Sequence, residues 1–519
     1  MSELDWVIIV VYLGGMLGLS AWVGRGQRSR KDYYLGGNTM GPLMLATSTI
    51  ATQCSTNSLL GAPAFVGFVA GGGMIWLQYE LAVPLAMLAL MLLLSPMRRL
   101  GYISAYGFLQ DRLGTPARIV ASTSFLVFRG IATGVTVYGV SLVLMLLIDV
   151  SYVQAVLILM GVTVVYDVIG GMRAVVISDV IQVVLIVAAV GASLLMLVSA
   201  VGGIEPLLSL AGGRTQAMNP SWGLQDGDSY GFWPMLIGGL FLYMAYYGCD
   251  QSQAQRVLAA RSERDANRVL LLNGVLRFPL VLLYCLLGLA LAAYASMEGG
   301  FIASLPSTAA GGPNFNLVFP TYVLAHFSPG VIGLVMAGIL AAAMSSVDSA
   351  LNSLSATSVE DYLNRGGRLS ERAAFIVSKL ATVGWGLFAV AFSFQVEHIA
   401  PTVLEAINKI GSMVNGPLLA LFLVAGFMPA AGARRAVAGF FAGAGSNLVL
   451  WLWYPQVSWL WWNVSGCVVA LAVTLIGAGA ALNWPAIRPS PRDVAWLAIM
   501  TGCILATCLL FQAVPWWLV

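Results

Sequence analysis

Apolar runs long enough to cross a hydrocarbon layer recur from one end of the chain to the other. A helix needs about 20 mainly apolar residues for the crossing. The pattern predicts about fourteen transmembrane helices: 4–23, 41–68, 73–95, 117–147, 152–170, 176–201, 231–250, 267–294, 329–362, 372–394, 401–427, 434–453, 459–481 and 491–512. Each run exceeds the usual length of a strand. In lipid the backbone must satisfy its own hydrogen bonds, and runs of this length do so as helices. The fold class expected is an all-α integral membrane protein.

Two of these spans do not read as plain helices. The second carries Gln53, Cys54, Asn57 and seven hydroxyl residues between Thr47 and Ser58, followed by Gly61 and Pro63. The seventh is interrupted by Tyr246-Tyr247-Gly248-Cys249-Asp250-Gln251-Ser252-Gln253. Buried amides and hydroxyls without partners cost a few kcal/mol each, so such runs must face a cavity, an ion or another helix. Local kinks with serine and threonine bonding back to the preceding turn are the bland alternative. Broken helices at matching places in two halves point instead to the binding site of an inverted-repeat transporter. Five spans separate the two breaks, which suits two five-helix repeats, 41–201 and 231–427. The division expected is a leading helix and loop (1–40), the first repeat, an outer loop (202–230), the second repeat, and three peripheral helices (428–519).

Composition agrees with a bilayer as solvent: 59% of residues are hydrophobic, 9% charged, and the mean hydropathy is +0.87. A soluble chain carries about a quarter of its residues as charges. The basic residues give the topology. Twenty of the 25 fall at alternate connections, in groups such as Arg25/Arg28/Arg30/Lys31, Arg98/Arg99/Arg112/Arg118 and Arg256/Arg261/Arg264/Arg268. By the positive-inside rule those connections are cytoplasmic, and both termini are extracytoplasmic. A missed span would invert the alternation partway, and none does. The acidic start, Met-Ser-Glu-Leu-Asp, is unlike a signal peptide, so the first run is expected to be retained. Trp and Tyr at span ends, Trp459 among them, read as interfacial anchors. The net charge of +3 gives no reason to expect nucleic acid, the six cysteines form no CxxC pair, and neither a zinc site nor an obligate protein partner is indicated. The cell inner (plasma) membrane is the expected location.

Four stretches resemble the sodium/solute symporter family: Lys31–Gly37, Gly170–Gln182, Gln255–Arg261 and Ala341–Ser349. They occur in family order over roughly residues 5–430. The resemblance implies a five-plus-five inverted-repeat core, known from the leucine transporter, with broken first and sixth core helices. It also implies a sodium site at Ala51, Cys54, Ala342, Ser345 and Ser346. The chemistry is coherent, because a hard cation wants several oxygens and unwound carbonyls with hydroxyls supply them. Some members hold a second sodium, and the matching positions here are Asp179, Ser345, Asp348 and Ser349. Asp348 stands where a characterised member has serine, which leaves a more acidic site or proton coupling open. An alternative for Asp179 is simple pairing with a basic neighbour.

The family places its solute at mid-membrane. Tyr246 matches a gate tyrosine, with Tyr243 one turn earlier; Glu80 matches a sugar-binding acid, Arg277 a pocket lysine, and Asn408 lies near a pocket glutamine. Gln53, Ser55 and Ser58 line the broken helix. Glu80, Arg129 and Arg277 are charges inside apolar runs, so each should face the interior and find a partner. Arginine is the natural fork for a carboxylate, yet Glu80 can neutralise one arginine and leave one charge for an anion. The reading taken is a sodium-coupled symporter importing a small organic anion, such as a monocarboxylate, by alternating access. A sodium/sugar or other neutral-solute symporter is the alternative within the fold; an ion channel or sensor is the alternative outside it. No HExxH is present and neither histidine serves a buried serine or zinc, so an enzyme is not expected.

Overall fold

The computed structural model describes the chain apart from residues 54–55, 149, 308–310, 400–402, 477, 479–481, 484–488 and 518–519, and apart from the side chains of 56–57, 146–148, 397–399, 403–410 and 515–517. The described residues are helical almost throughout, with one isolated β-bridge between Ser307 and Pro313 among them. The main helices are α1 (Glu3–Gly24), α2 (Pro42–Gln53), α3 (Thr56–Gly67), α4 (Ala82–Leu100), α5 (Thr115–Ile148), α6 (Tyr152–Ala200), α7 (Gly239–Cys249), α8 (Gln251–Leu258), α9 (Glu263–Met297), α10 (Val331–Ser358), α11 (Glu371–Ile399), α12 (Val403–Phe427), α13 (Ala433–Trp453), α14 (Leu460–Leu475) and α15 (Pro491–Trp517). Nine helical segments among the described residues are long and apolar enough to cross a membrane, and four shorter apolar helices accompany them.

Burial separates the centre from the rim. In α10, 83% of the most apolar window is buried, against 17% in α15 and 22% in α1. α10 packs on α6 and α1, while α9 packs on α2, α3 and α4. Close approach of α3 and α9 depends on two glycines: a Cβ on Gly67 would lie 2.7 Å from the Gly288 carbonyl, and one on Gly288 would meet Pro63 at the same distance. Small residues are what let membrane helices meet backbone to backbone.

Among the described residues the helices are interrupted in two informative places. α6 runs 49 residues but contains Gly171 at φ 54°, ψ −162°, where the chain departs from helix between the spans expected at 152–170 and 176–201. α7 and α8 are separated by Asp250, which is extended (φ −78°, ψ 121°). Its carboxylate caps α8, accepting from the Ser252 backbone at 2.8 Å and the Ser252 hydroxyl at 2.6 Å. This is the interruption expected near Tyr246–Gln253. The other expected break falls between α2 and α3, at residues outside the description.

Candidate functional site: a hydroxyl–carbonyl cluster and a central cavity

α2 is described as far as Gln53, and carbonyls of its last described turn lie against α10. Two serines of α10 reach them. Ser345 Oγ donates to the Ala51 carbonyl at 3.3 Å and the Ala342 carbonyl at 3.1 Å. Ser346 Oγ donates to the Thr52 carbonyl at 3.3 Å and the Ala342 carbonyl at 3.4 Å. Ala51, Ala342, Ser345 and Ser346 are thus brought together; Cys54, the remaining expected ligand, lies outside the described residues. Thr52 was not foreseen, although it belongs to the same end turn. The donor set is neutral oxygen throughout, a fit for a hard monovalent cation, for which the two hydroxyls would turn their lone pairs inward.

One turn further along α10 lies a buried charge cluster. Arg256, counted among the basic residues of a cytoplasmic connection, is only 1% exposed. Its Nε donates to Ser48 Oγ at 2.7 Å, and its Nη2 to Ser349 Oγ at 2.5 Å, to Asp179 Oδ2 at 3.2 Å and to Thr52 Oγ1. Nη1 donates to the Ser252 carbonyl. Asp179 therefore has the basic neighbour weighed as its alternative partner. Asp348 Oδ1 accepts from Ser349 Oγ at 3.2 Å. Ser345, assigned to both sodium sites, donates its hydroxyl within the first and accepts from Ser349 Oγ at its carbonyl at 2.7 Å. Arg256 follows the helix break by six residues, so its position alone looked cytoplasmic. Ser48 and Thr52, four apart on one face of α2, were the available signal for a buried donor opposite them.

Residues of α3, α5, α7, α9 and α12 line a cavity of about 700 Å³. Of the expected solute-contacting residues, Gln53, Ser58, Arg129, Tyr243, Tyr246 and Arg277 line it. Ser55 and the Asn408 side chain lie outside the description. Glu80 stands behind the wall, where its Oε1 accepts from Arg277 Nη2 at 2.8 Å. Arg277 also donates to the hydroxyls of Tyr243 at 2.8 Å and Tyr247 at 3.2 Å, and lies 4.5 Å from the Tyr243 ring centre. Aromatic residues that sequence reading did not assign here complete the wall, among them Phe65, Trp76, Tyr79 and Tyr284. Trp459, expected to be an interfacial anchor, also lines the cavity.

The second arginine is held differently. Arg129 Nη2 donates to Ser252 Oγ at 2.5 Å, and its Nε stands 3.7 Å from Asp250 Oδ2, too far for a hydrogen bond. That Nε has no hydrogen-bond partner among the described residues. The guanidinium lies 5.9 Å from the Tyr246 ring centre, and Tyr246 OH accepts from Gln253 Nε2 at 2.9 Å. Beside the cavity there is thus one hydrogen-bonded ion pair, Arg277–Glu80, and one pair too far apart for a hydrogen bond, Arg129–Asp250.

At the end of the molecule rich in basic residues, the chain is clasped. Arg118 Nε donates to Asp361 Oδ1 at 2.6 Å, and Ser104 Oγ to Asp361 Oδ2 at 2.7 Å. Arg30 pairs with Glu360 at 2.6 Å and Glu371 at 2.8 Å. Burial disfavours the Arg30 charge, but hydrogen bonds and attraction from Glu371 and Glu360 outweigh it and raise its pKa.

Residues 33–443 match the model of the sodium:solute symporter family. The mouse sodium-coupled monocarboxylate transporter 1 is 30% identical over 451 residues, covering 84% of this chain and 72% of that protein. The human sodium/iodide cotransporter is 27% identical over 455 residues, 86% and 69%. The sodium/sialic acid symporter of Aliivibrio fischeri is 26% identical over 485 residues, 92% of each. A solved structure of a Na+-coupled sialic acid symporter, substrate-bound and outward-open, superposes with a TM-score of 0.82 at 23% identity, over 93% of this chain and 99% of that one.

Proposed function

The chain belongs to the sodium:solute symporter family, transporters rather than enzymes with sodium as the coupling ion, and from that premise we propose that it imports a small organic anion with sodium by alternating access. The observation that carries the proposal is Arg129: a guanidinium lining the central cavity beside the helix break, bonded through one terminal nitrogen among the described residues where Arg277 is bonded through both. An arginine so placed fits a carboxylate. Three of the relatives, by name, move iodide, monocarboxylates or sialic acid, each an anion near neutral pH. Glu80 is engaged by Arg277, which weakens the case for a sugar held through Glu80.

In this reading fourteen helices cross the inner membrane with both termini outside, and residues 41–201 and 231–427 form the two repeats. Sodium sits between the end of α2 and the serines of α10, held by Ala51, Cys54, Ala342, Ser345 and Ser346. A second sodium at Asp179, Ser345, Asp348 and Ser349 shares its ligands with Arg256. Asp348 Oδ2, buried without a hydrogen bond among the described residues, is an oxygen left for it. The driving force is adequate, since one charge moved through 100 mV contributes about 2.3 kcal/mol.

The test is uptake into proteoliposomes of a panel of monocarboxylates, hexoses and amino acids. Saturable uptake of a monocarboxylate that collapses without a sodium gradient supports the proposal. Sodium-driven uptake of a hexose alone overturns its anionic part, and flux that never saturates overturns the symporter in favour of a channel.

A further inference from the structure

We propose that Asp250 is a built-in stand-in for the substrate's carboxylate, and that only an anion able to take Arg129 from it can unlock α8 for transport. The inference rests on the anion reading above and adds the residue that sets its specificity.

Arg129 belongs to α5 and Asp250 to the break between α7 and α8. Their side chains are 20% and 18% exposed, and both line the cavity. The same Asp250 carboxylate divides its work. Oδ1 caps α8 through the Ser252 backbone and hydroxyl. Oδ2 faces Arg129 Nε at 3.7 Å, close enough to neutralise it and too far to fill its N–H. Arg129 in turn grips the Ser252 hydroxyl at 2.5 Å. One guanidinium therefore ties α5 to the first turn of α8, across the gap at which the helix is broken.

A carboxylate entering the cavity offers Arg129 two oxygens in the fork geometry that Asp250 does not reach. Once the guanidinium turns to it, Asp250 keeps its cap and Ser252 loses its tie to α5. A neutral solute cannot compete for the charge, so it leaves the tie intact. Arg277 plays no such part, because Glu80, Tyr243 and Tyr247 already engage it. The discriminating step is thus an exchange of carboxylates on Arg129, after which Asp250 keeps its hydrogen bonds to Ser252 and gives up its cation.

The substitution that isolates this role is Asp250→Asn, with Asp250→Ser beside it. Both residues cap helices as well as aspartate does, so α8 keeps its start while the rival charge disappears. Binding of benzoate and of lactate to the purified full chain in sodium would be measured by calorimetry, for the natural sequence, both Asp250 variants and Arg129→Gln. The expected result is binding lost in Arg129→Gln and tightened about fivefold in both Asp250 variants, the size of a partly exposed ion pair removed from competition. Binding lost in Arg129→Gln but unchanged or weaker in both Asp250 variants overturns this inference and leaves the anion reading standing. Binding of neither anion, or binding indifferent to Arg129→Gln, overturns both.

Discussion

Two arginines in one cavity differ in what their removal would do. Arg277 and Glu80 are both buried and meet at 2.8 Å, so removing one partner leaves an uncompensated buried group. Glu80→Gln is expected to cost about 3–5 kcal/mol, seen as a large fall in thermal midpoint and in yield of folded protein. Glu80→Gln with Arg277→Met should recover much of that loss. Arg129→Gln, at a side chain open to the cavity, should leave the midpoint little changed while abolishing anion binding. A stable Glu80→Gln protein would refute the closed-pair assignment. At the proposed cation cluster, Ser346→Ala removes one oxygen of the set and is expected to raise the sodium concentration for half-maximal uptake about tenfold. An unchanged sodium dependence would remove Ser346 from the site.

Residues were legible in the sequence to different depths. Ser345 and Ser346 were reached through a motif, and the carbonyls of Ala51 and Thr52 beside them belong to the polar run around Gln53. The cost of burying polar groups is local, so it leaves a local mark. The burial of Arg256 was not legible because a count of positive charges uses position along the chain, whereas burial depends on which neighbours a helix face meets. The aromatic cavity wall was invisible for the same reason: Trp459 and Tyr284 belong to elements far apart in sequence.

Among the elements, the least regular backbone carries the clearest stability prediction. Gly171 interrupts α6 at φ 54°, ψ −162°, a region that side chains essentially never occupy, and a Cβ there would lie 2.7 Å from the Tyr33 carbonyl. Gly171→Ala should destabilise the protein by at least about 1–3 kcal/mol, measured as a lower thermal midpoint. The sodium dependence of the folded fraction should not move, because the cation cluster lies on α2 and α10. This break was legible as the change from an apolar run to Gly170-Gly171-Met172-Arg173. The break at Asp250 was legible as a polar run inside an apolar one. Neither reading supplied the cap that Asp250 makes, since a carboxylate's direction follows from backbone geometry and not from residue order.

For the whole molecule, alternating access requires that the two ends open in turn, so interactions confined to one end should bias direction. The Arg118–Asp361–Ser104 contacts join the start of α5 to the turn following α10 at the basic, cytoplasmic end of the proposed topology. Asp361 is fully buried and Arg118 nearly so, with 0% and 11% of their side chains exposed, which makes the pair a latch more than a surface charge. Asp361→Asn keeps an acceptor for Arg118 and turns an N–H to Ser104, whose hydroxyl can accept it, while removing the charge. A change of this kind can shift a two-state equilibrium only by what it takes from one state. If the clasp holds the inner end closed, the variant populates inward-open molecules more. Efflux from preloaded vesicles should then quicken, and half-maximal uptake should need more external sodium, because fewer binding sites face outward. A clasp that merely stabilises the fold predicts something else: flux in both directions falling in proportion to the protein recovered, with sodium dependence unchanged. Measuring influx and efflux on the same reconstituted sample separates the two outcomes.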